Sequence, residues 1–176
     1  MTSSSLQVTL VAKAESQITG LSRYVNSLEE GLRQVSGVQA SVMTTRPPRI
    51  PAWLLRLASL LGADLKTFFA SYPLHLSQPP QSIYHLTSQN LATLLVFQSL
   101  RPAVVTVHDI IPLLVLGHPE LDTFQHLADR FLFRLSIAGL RRAQALIAIS
   151  QYTRQTLIEA LGYPAEKIHV VYRVVD

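Results

Sequence analysis

His108 and Asp109 stand together directly after the β-branched run Ala103–Val107. An imidazole leaving a buried strand can donate to a ligand hydroxyl, and the carboxylate beside it can orient the ring or accept a proton. This pair is the strongest local signal of chemistry in the chain. Four other polar groups follow strand-like runs or open a helix: Thr19-Gly20, the cluster Thr87-Ser88-Gln89-Asn90, Ser150 with Arg154 one turn on, and Arg173. Each has a plain structural reading beside the functional one. Gly20 either turns the chain into a helix or admits a ligand phosphate to backbone N–H groups. It belongs to no GxGxxG or P-loop pattern. Ser150 stands where a helix N-cap belongs, and a cap can also touch a ligand. Thr87 to Asn90 would serve as cap and turn without any substrate. His75, His85, His118, His126 and His169 fall at no short metal-ligand spacing, so no zinc site is expected.

These residues need a scaffold that brings them to one edge, and the apolar pattern predicts it. Leu6–Ala12 is a short strand-like run. Leu21, Tyr24, Val25, Leu28, Leu32 and Val35 then recur at helical intervals until Gly37, and Gln39–Thr44 resumes strand composition. Ile83–Leu86, Ala103–Val107, Ala145–Ile149 and Ile168–Tyr172 continue as strands, with helices expected over Leu91–Leu100, Asp122–Leu140 and from Ser150 to Gly162. This alternation predicts an α/β fold: one Rossmann-like domain over residues 1–176, a parallel sheet with helices on both faces. The proline-bounded stretch from about 46 to 80 is expected as a helical insertion. In it Trp53, Leu54, Leu57, Leu60 and Leu61 repeat at helical spacing, and Asp64–Ala70 adds a second short helix. Ligands of an open parallel sheet bind beyond the carboxyl ends of its strands, so the five polar groups should share one rim.

Composition narrows the classes further. The 176 residues are 48% hydrophobic and 15% charged, which excludes disorder and suits one compact core. There is no cysteine, hence no disulfide scaffold, thiolate metal site or cysteine nucleophile. The net charge is +4, and between Glu30 and Asp109 the single acid is Asp64, against Arg33, Arg46, Arg49, Arg56, Lys66 and Arg101. That half should be positive. Arg130, Arg134, Arg141 and Arg142 are expected on a solvated helix face, the last two complementing its C-terminal dipole. No apolar run is long enough for a spanning helix, and Met1–Ser5 lacks the basic start of a secretion signal, which predicts a cytoplasmic protein. The basic, amphipathic stretch from Arg46 to Phe69 suits the inner face of an anionic membrane through Arg46, Arg49, Trp53 and Arg56. Its plainer reading is a helix packed on the sheet. No nucleic-acid partner is expected.

Four segments, in order, carry a family resemblance: ITGLSRYVNSLEEGL from Ile18, YHLTSQNLA from Tyr84, AVVTVHDIIPLL from Ala103, and the run from Ala145 to Asp176. They resemble the amino-terminal half of retaining group 1 glycosyltransferases, which have the two-domain GT-B fold. The resemblance implies an acceptor-binding domain, with a second Rossmann-like domain binding the nucleotide sugar and transfer to an acceptor hydroxyl, free or lipid-linked, in the cleft between. It implies that His108 contacts the transferred sugar near the reacting carbon and that Asp109 braces that site. Gly20, after Thr19, would approach the donor diphosphate or the acceptor, Thr87 and Gln89 would face the acceptor, and Ser150, Arg154 and Arg173 would lie at the cleft edge. No cofactor or metal is implied beyond the nucleotide sugar as substrate.

Two features depart from that family. Its members usually carry a glycine before the closing Val-Asp, where this chain has Arg173-Val174-Val175-Asp176, and valine resists positive φ. The chain stops at Asp176, where the linker into the donor domain should begin. The paired glutamates and basic residues that hold the donor diphosphate are therefore not in it, and alone it is expected to be nearly inactive. The apolar end from Ile168 to Val175 is expected to await cover by that second domain. A different class is a non-catalytic carbohydrate- or anionic-membrane-binding module, drawn from the Trp53 segment. A nucleotide-binding Rossmann protein of another kind lacks the glycine fingerprint and the ribose-binding acid about 20 residues beyond it.

Overall fold

The computed structural model describes residues 5–13, 19–46, 48–60, 65–77, 82–114 and 127–172. The apolar runs form six strands: β1 Leu6–Lys13, β2 Val38–Thr45, β3 Ile83–Leu86, β4 Ala103–Val107, β5 Ala145–Ala148 and β6 Ile168–Val170. They make one sheet in the order β2-β1-β3-β4-β5-β6, with every neighbouring pair parallel. The architecture is α/β and Rossmann-like, as the alternation predicts. β3 and β4 are buried along most of their length because both faces are covered, whereas β2, at the edge, is largely exposed.

The helices are α1 Gly20–Gln34, α2 Ala52–Leu60, α3 Leu65–Ser71, α4 Thr93–Phe97, α5 Ile111–Leu114, α6 Leu127–Leu140 and α7 Gln151–Leu161. Thr19 starts α1: its Oγ1 accepts the N–H groups of Leu21 and Ser22, both at 3.2 Å, while Ser22 Oγ accepts the Thr19 N–H at 2.8 Å. Ser150 starts α7 by accepting the Thr153 N–H at 3.0 Å, and Gly162, at φ 58°, ends it in the left-handed region. The expected insertion contains α2 and α3, packed on each other.

Several boundaries differ from expectation. The helix predicted over Leu91–Leu100 begins at Gln89 as a 3-10 turn through Ala92 and ends at Phe97. Gln98 is extended because its amide is engaged by the chain at His75 and Leu76. β5 stops at Ala148 and β6 at Val170, since β6 pairs with β5 over three residues. Residues 122–126 of the long predicted helix lie outside the described residues. α5 and a 3-10 turn at Ala165–Lys167 are additional, and each is too short to show helical periodicity. Arg141 and Arg142 are tied down rather than freely solvated. Arg142 Nη1 donates to the carbonyls of Leu95 at 3.1 Å and Val96 at 2.8 Å, near the end of α4, and Arg141 Nη2 donates to Leu161 O at 2.8 Å.

The step from β1 to β2 crosses the sheet one way, and the steps through β3 to β6 cross it the other way. Right-handed crossovers then place α1 on one face and the helices following β3, β4 and β5 on the opposite face. Alternate strand residues divide accordingly. Val11, Leu86, Val105 and Leu146 join Leu94, Phe133, Leu140 and Leu157 in one core. Leu10, His85 and Thr106 share the other face, as the register of Leu10 with His85 and of His85 with Val104 requires. The strand order reverses between β1 and β3, which makes their carboxyl ends the topological switch point.

Candidate functional site

Parallel strands end at one edge, so the strand order fixes the sequence of polar groups along it. Arg46 follows β2, Thr19 and Gly20 lie beyond β1, Thr87 to Gln89 follow β3, His108 and Asp109 follow β4, and Ser150 follows β5. Arg173 lies outside the described residues; Val171 and Tyr172, just after β6, are exposed.

His108 is half-buried and held from three directions. Its Nε2 meets the Thr87 carbonyl at 2.8 Å, its backbone N–H donates to Gln89 Oε1 at 3.2 Å, and its ring stands edge-on to Tyr24. The two ring centroids are 5.1 Å apart and the planes cross at 89°. A carbonyl can only accept, so Nε2 carries a hydrogen and Nδ1 is the acceptor atom of the neutral ring. Behind this clamp runs a short polar chain. Tyr24 Oη meets Thr106 Oγ1 at 2.9 Å, and Thr106 Oγ1 meets His85 Nε2 at 2.8 Å. His85 is buried, and loss of water, with His108 nearby as a second cause, pushes its pKa down to about 4. It is a neutral hydrogen-bonding ring.

The other candidates contribute differently. Thr87 is fully buried, and its N–H and hydroxyl both donate to Val11 O at 3.0 Å, joining β3 to β1. What it presents to His108 is its carbonyl. Asp109 is exposed, and its Oδ1 accepts the Ile111 N–H at 3.2 Å, which starts α5. Gly20 is exposed at the positive end of α1, where the Thr19 hydroxyl already serves the next two N–H groups. Ser150 is half-buried as the cap of α7, and Arg154 Nη2 reaches Ala165 O at 3.3 Å. Arg46, Arg49, Trp53 and Arg56 are all exposed; Arg46 stands at the β2 end of the rim and the others follow it in the insertion. Sequence reasoning missed Tyr24, His85 and Thr106 as site groups. Their signal was slight: single polar-tipped residues inside otherwise apolar patterns.

With this rim in place, the similarity to known proteins becomes specific. Residues 18–176 match the model of Glycosyltransferase Family 4. The chain belongs to this family. No curated protein matches it. The match opens just before the Thr19 cap and runs across every polar group of the rim. Membership in Glycosyltransferase Family 4 makes this a glycosyltransferase-type domain, with a sugar donor and an acceptor as its general substrates. Among the described residues no helix is long and apolar enough to cross a membrane, and no three His, Asp or Glu side chains gather as a metal site.

Proposed function

We propose that this chain is the acceptor-binding half of a retaining glycosyltransferase of two-domain GT-B form. A second Rossmann-like domain supplies the nucleotide sugar, and the sugar passes to an acceptor hydroxyl in the cleft between the two. The observation that carries this reading is the clamp on His108 by the Thr87 carbonyl, the Gln89 amide and the Tyr24 ring. A ring immobilised before the ligand arrives, beside a topological switch point, is preorganised to recognise a hydroxyl. Donation from Nε2 to the Thr87 carbonyl fixes the tautomer and the orientation in which the ring meets the sugar.

The neighbouring groups complete this wall. Gly20 offers the positive end of α1 to a diphosphate. Asp109 holds the His108 loop through the Ile111 N–H, and Ser150 and Arg154 stand further along the rim, on the side we assign to the second domain. Stabilisation of the departing diphosphate belongs to that second domain. The reading requires no cofactor besides the nucleotide sugar. Its test combines the chain with a donor-binding domain and follows sugar transfer. His108→Ala is expected to lower kcat by about 100-fold or more. Transfer unchanged by that substitution would overturn the assignment.

A specific observation supports reading a membrane surface as a further partner. The apolar stripe of α2 faces outward: Trp53, Leu57 and Leu60 are 67%, 49% and 83% exposed, whereas Ala58 is buried. At helical spacing these three and Arg56 fall within about 100° of one another. We infer peripheral docking of α2, with Arg46 and Arg49, on an anionic cytoplasmic leaflet. Vesicles containing phosphatidylserine should carry the chain down in a salt-sensitive way, and Trp53→Ala should weaken this several-fold. Equal sedimentation with purely zwitterionic vesicles would remove the reading.

A further inference from the structure

The free edge of the sheet holds a second candidate site, separate from the His108 clamp. A cavity of about 630 Å³ lies against the carboxyl-terminal half of β2. Its apolar lining includes Val42, Met43, Leu74 and Leu76, and Arg46 and His75 stand among its polar groups beside the hydroxyls of Thr44 and Ser77. The size is in the range of small-molecule sites.

Its outer wall has no regular secondary structure, yet it is tethered throughout. The Gln98 side chain accepts the Leu76 N–H at 2.6 Å and donates to Leu76 O at 3.1 Å and to His75 Nδ1 at 2.9 Å. Thr93 Oγ1 donates to Pro73 O at 2.6 Å, and Tyr72 and Leu76 are buried on either side of the exposed His75. Because Nδ1 of His75 accepts, the ring hydrogen sits on Nε2, and that atom is a donor. Arg46 is exposed and makes no ion pair among the described residues. Among the described residues no acid lines the cavity. Donors beside a hydrocarbon floor, with no carboxylate to compensate them, select an anion that carries an apolar body.

We propose that this cavity binds a phosphate-bearing amphiphile, a phosphate monoester of a hydrocarbon chain. The phosphate sits between Arg46 and His75, and the chain lies on Val42, Met43, Leu74 and Leu76. The position gives the site a use. β2 and β4 are separated by β1 and β3, so the carboxyl end of β2 lies about 14 Å along the rim from that of β4, three strand spacings away. A larger relative of this ligand, with a sugar esterified to the same phosphate, would extend a sugar hydroxyl from here along the rim toward His108. This last step rests on the proposed transfer site; the binding itself does not.

Calorimetry on the intact chain tests it with three probes: dodecyl phosphate below its micelle concentration, dodecyl maltoside, and inorganic phosphate. Dodecyl phosphate is expected to bind more tightly than either of the others. Arg46→Gln should weaken it about tenfold or more, the usual consequence of losing a charge-assisted hydrogen bond. Gln98→Ala, which releases the wall, should weaken it as well. His108→Ala and Trp53→Ala should leave it unchanged, so failure here and failure of the transfer reading are separable. The proposal is overturned if the maltoside or free phosphate binds as well as dodecyl phosphate, or if Arg46→Gln has no effect. It is also overturned if Trp53→Ala or His108→Ala abolishes binding, since the ligand then lies on α2 or at the rim.

Discussion

Tyr24 meets the site through two contacts of different chemistry. Its ring edge supports His108, and its hydroxyl continues through Thr106 to His85. The Thr106 hydroxyl has one hydrogen, so it can donate to at most one of these neighbours and must accept from the other. Two substitutions separate the contacts. Tyr24→Phe keeps the ring and removes the hydrogen bond to Thr106, and it should cost about 1 kcal/mol in urea unfolding while leaving sugar binding nearly intact. Tyr24→Ala also removes the support of His108. It should therefore lower acceptor affinity well beyond the loss seen for Tyr24→Phe. Equal affinities in the two variants would mean that the ring contact does not position the histidine.

At the scale of elements, α6 decides how tightly the sheet is covered. Gly139 lets it lie directly on the 3-10 turn that leads into α4: a Cβ at this position would come 1.9 Å from the Ala92 carbonyl oxygen. The obstacle is backbone, so it cannot swing aside as a flexible side chain would. Arg142 reinforces the same contact by donating to the carbonyls of Leu95 and Val96, groups that a helix end leaves without intrahelical partners. Because the turn also carries Gln89, whose side chain holds the His108 backbone, this packing reaches the candidate site. Gly139→Ala is expected to cost about 1–3 kcal/mol, the range for overpacking a tight core. An unchanged urea midpoint would show that α6 can shift without penalty.

For the molecule as a whole, the buried His85 ties stability to pH. Its ordinary pKa of 6.5 falls to about 4 in the fold, through burial first and His108 second. Between those values the unfolded chain holds a proton that the folded chain does not. Stability therefore declines as pH falls through that window, by about 2–3 kcal/mol from this group on reaching pH 4.5. His85→Gln should flatten this part of the profile, measured as urea midpoints at pH 7 and pH 4.5. The same acid sensitivity in both proteins would place its origin elsewhere. The wider charge pattern acts at this scale too. With Arg46, Arg49 and Arg56 exposed around an outward apolar stripe, the insertion gives one end of the fold a cationic, hydrophobic surface.

The one-dimensional pattern was enough to predict the strands and the parallel α/β class. The β-branched runs and the helical repeat of α1 are local, and alternation with crossovers leaves few topologies. It also put His108 and Ser150 after strands and Gly20 at the start of a helix, the positions they hold in the fold. It could not pair His85 with Thr106 or bring Tyr24 to His108, since face and register depend on which strands are neighbours. It could not show that Thr87 turns its hydroxyl to Val11 and its carbonyl to His108. Nor could it say which way the α2 stripe faces, because an apolar periodicity looks the same whether it meets a sheet or water. Those choices are made between residues far apart in the chain, and only the packed sheet contains them.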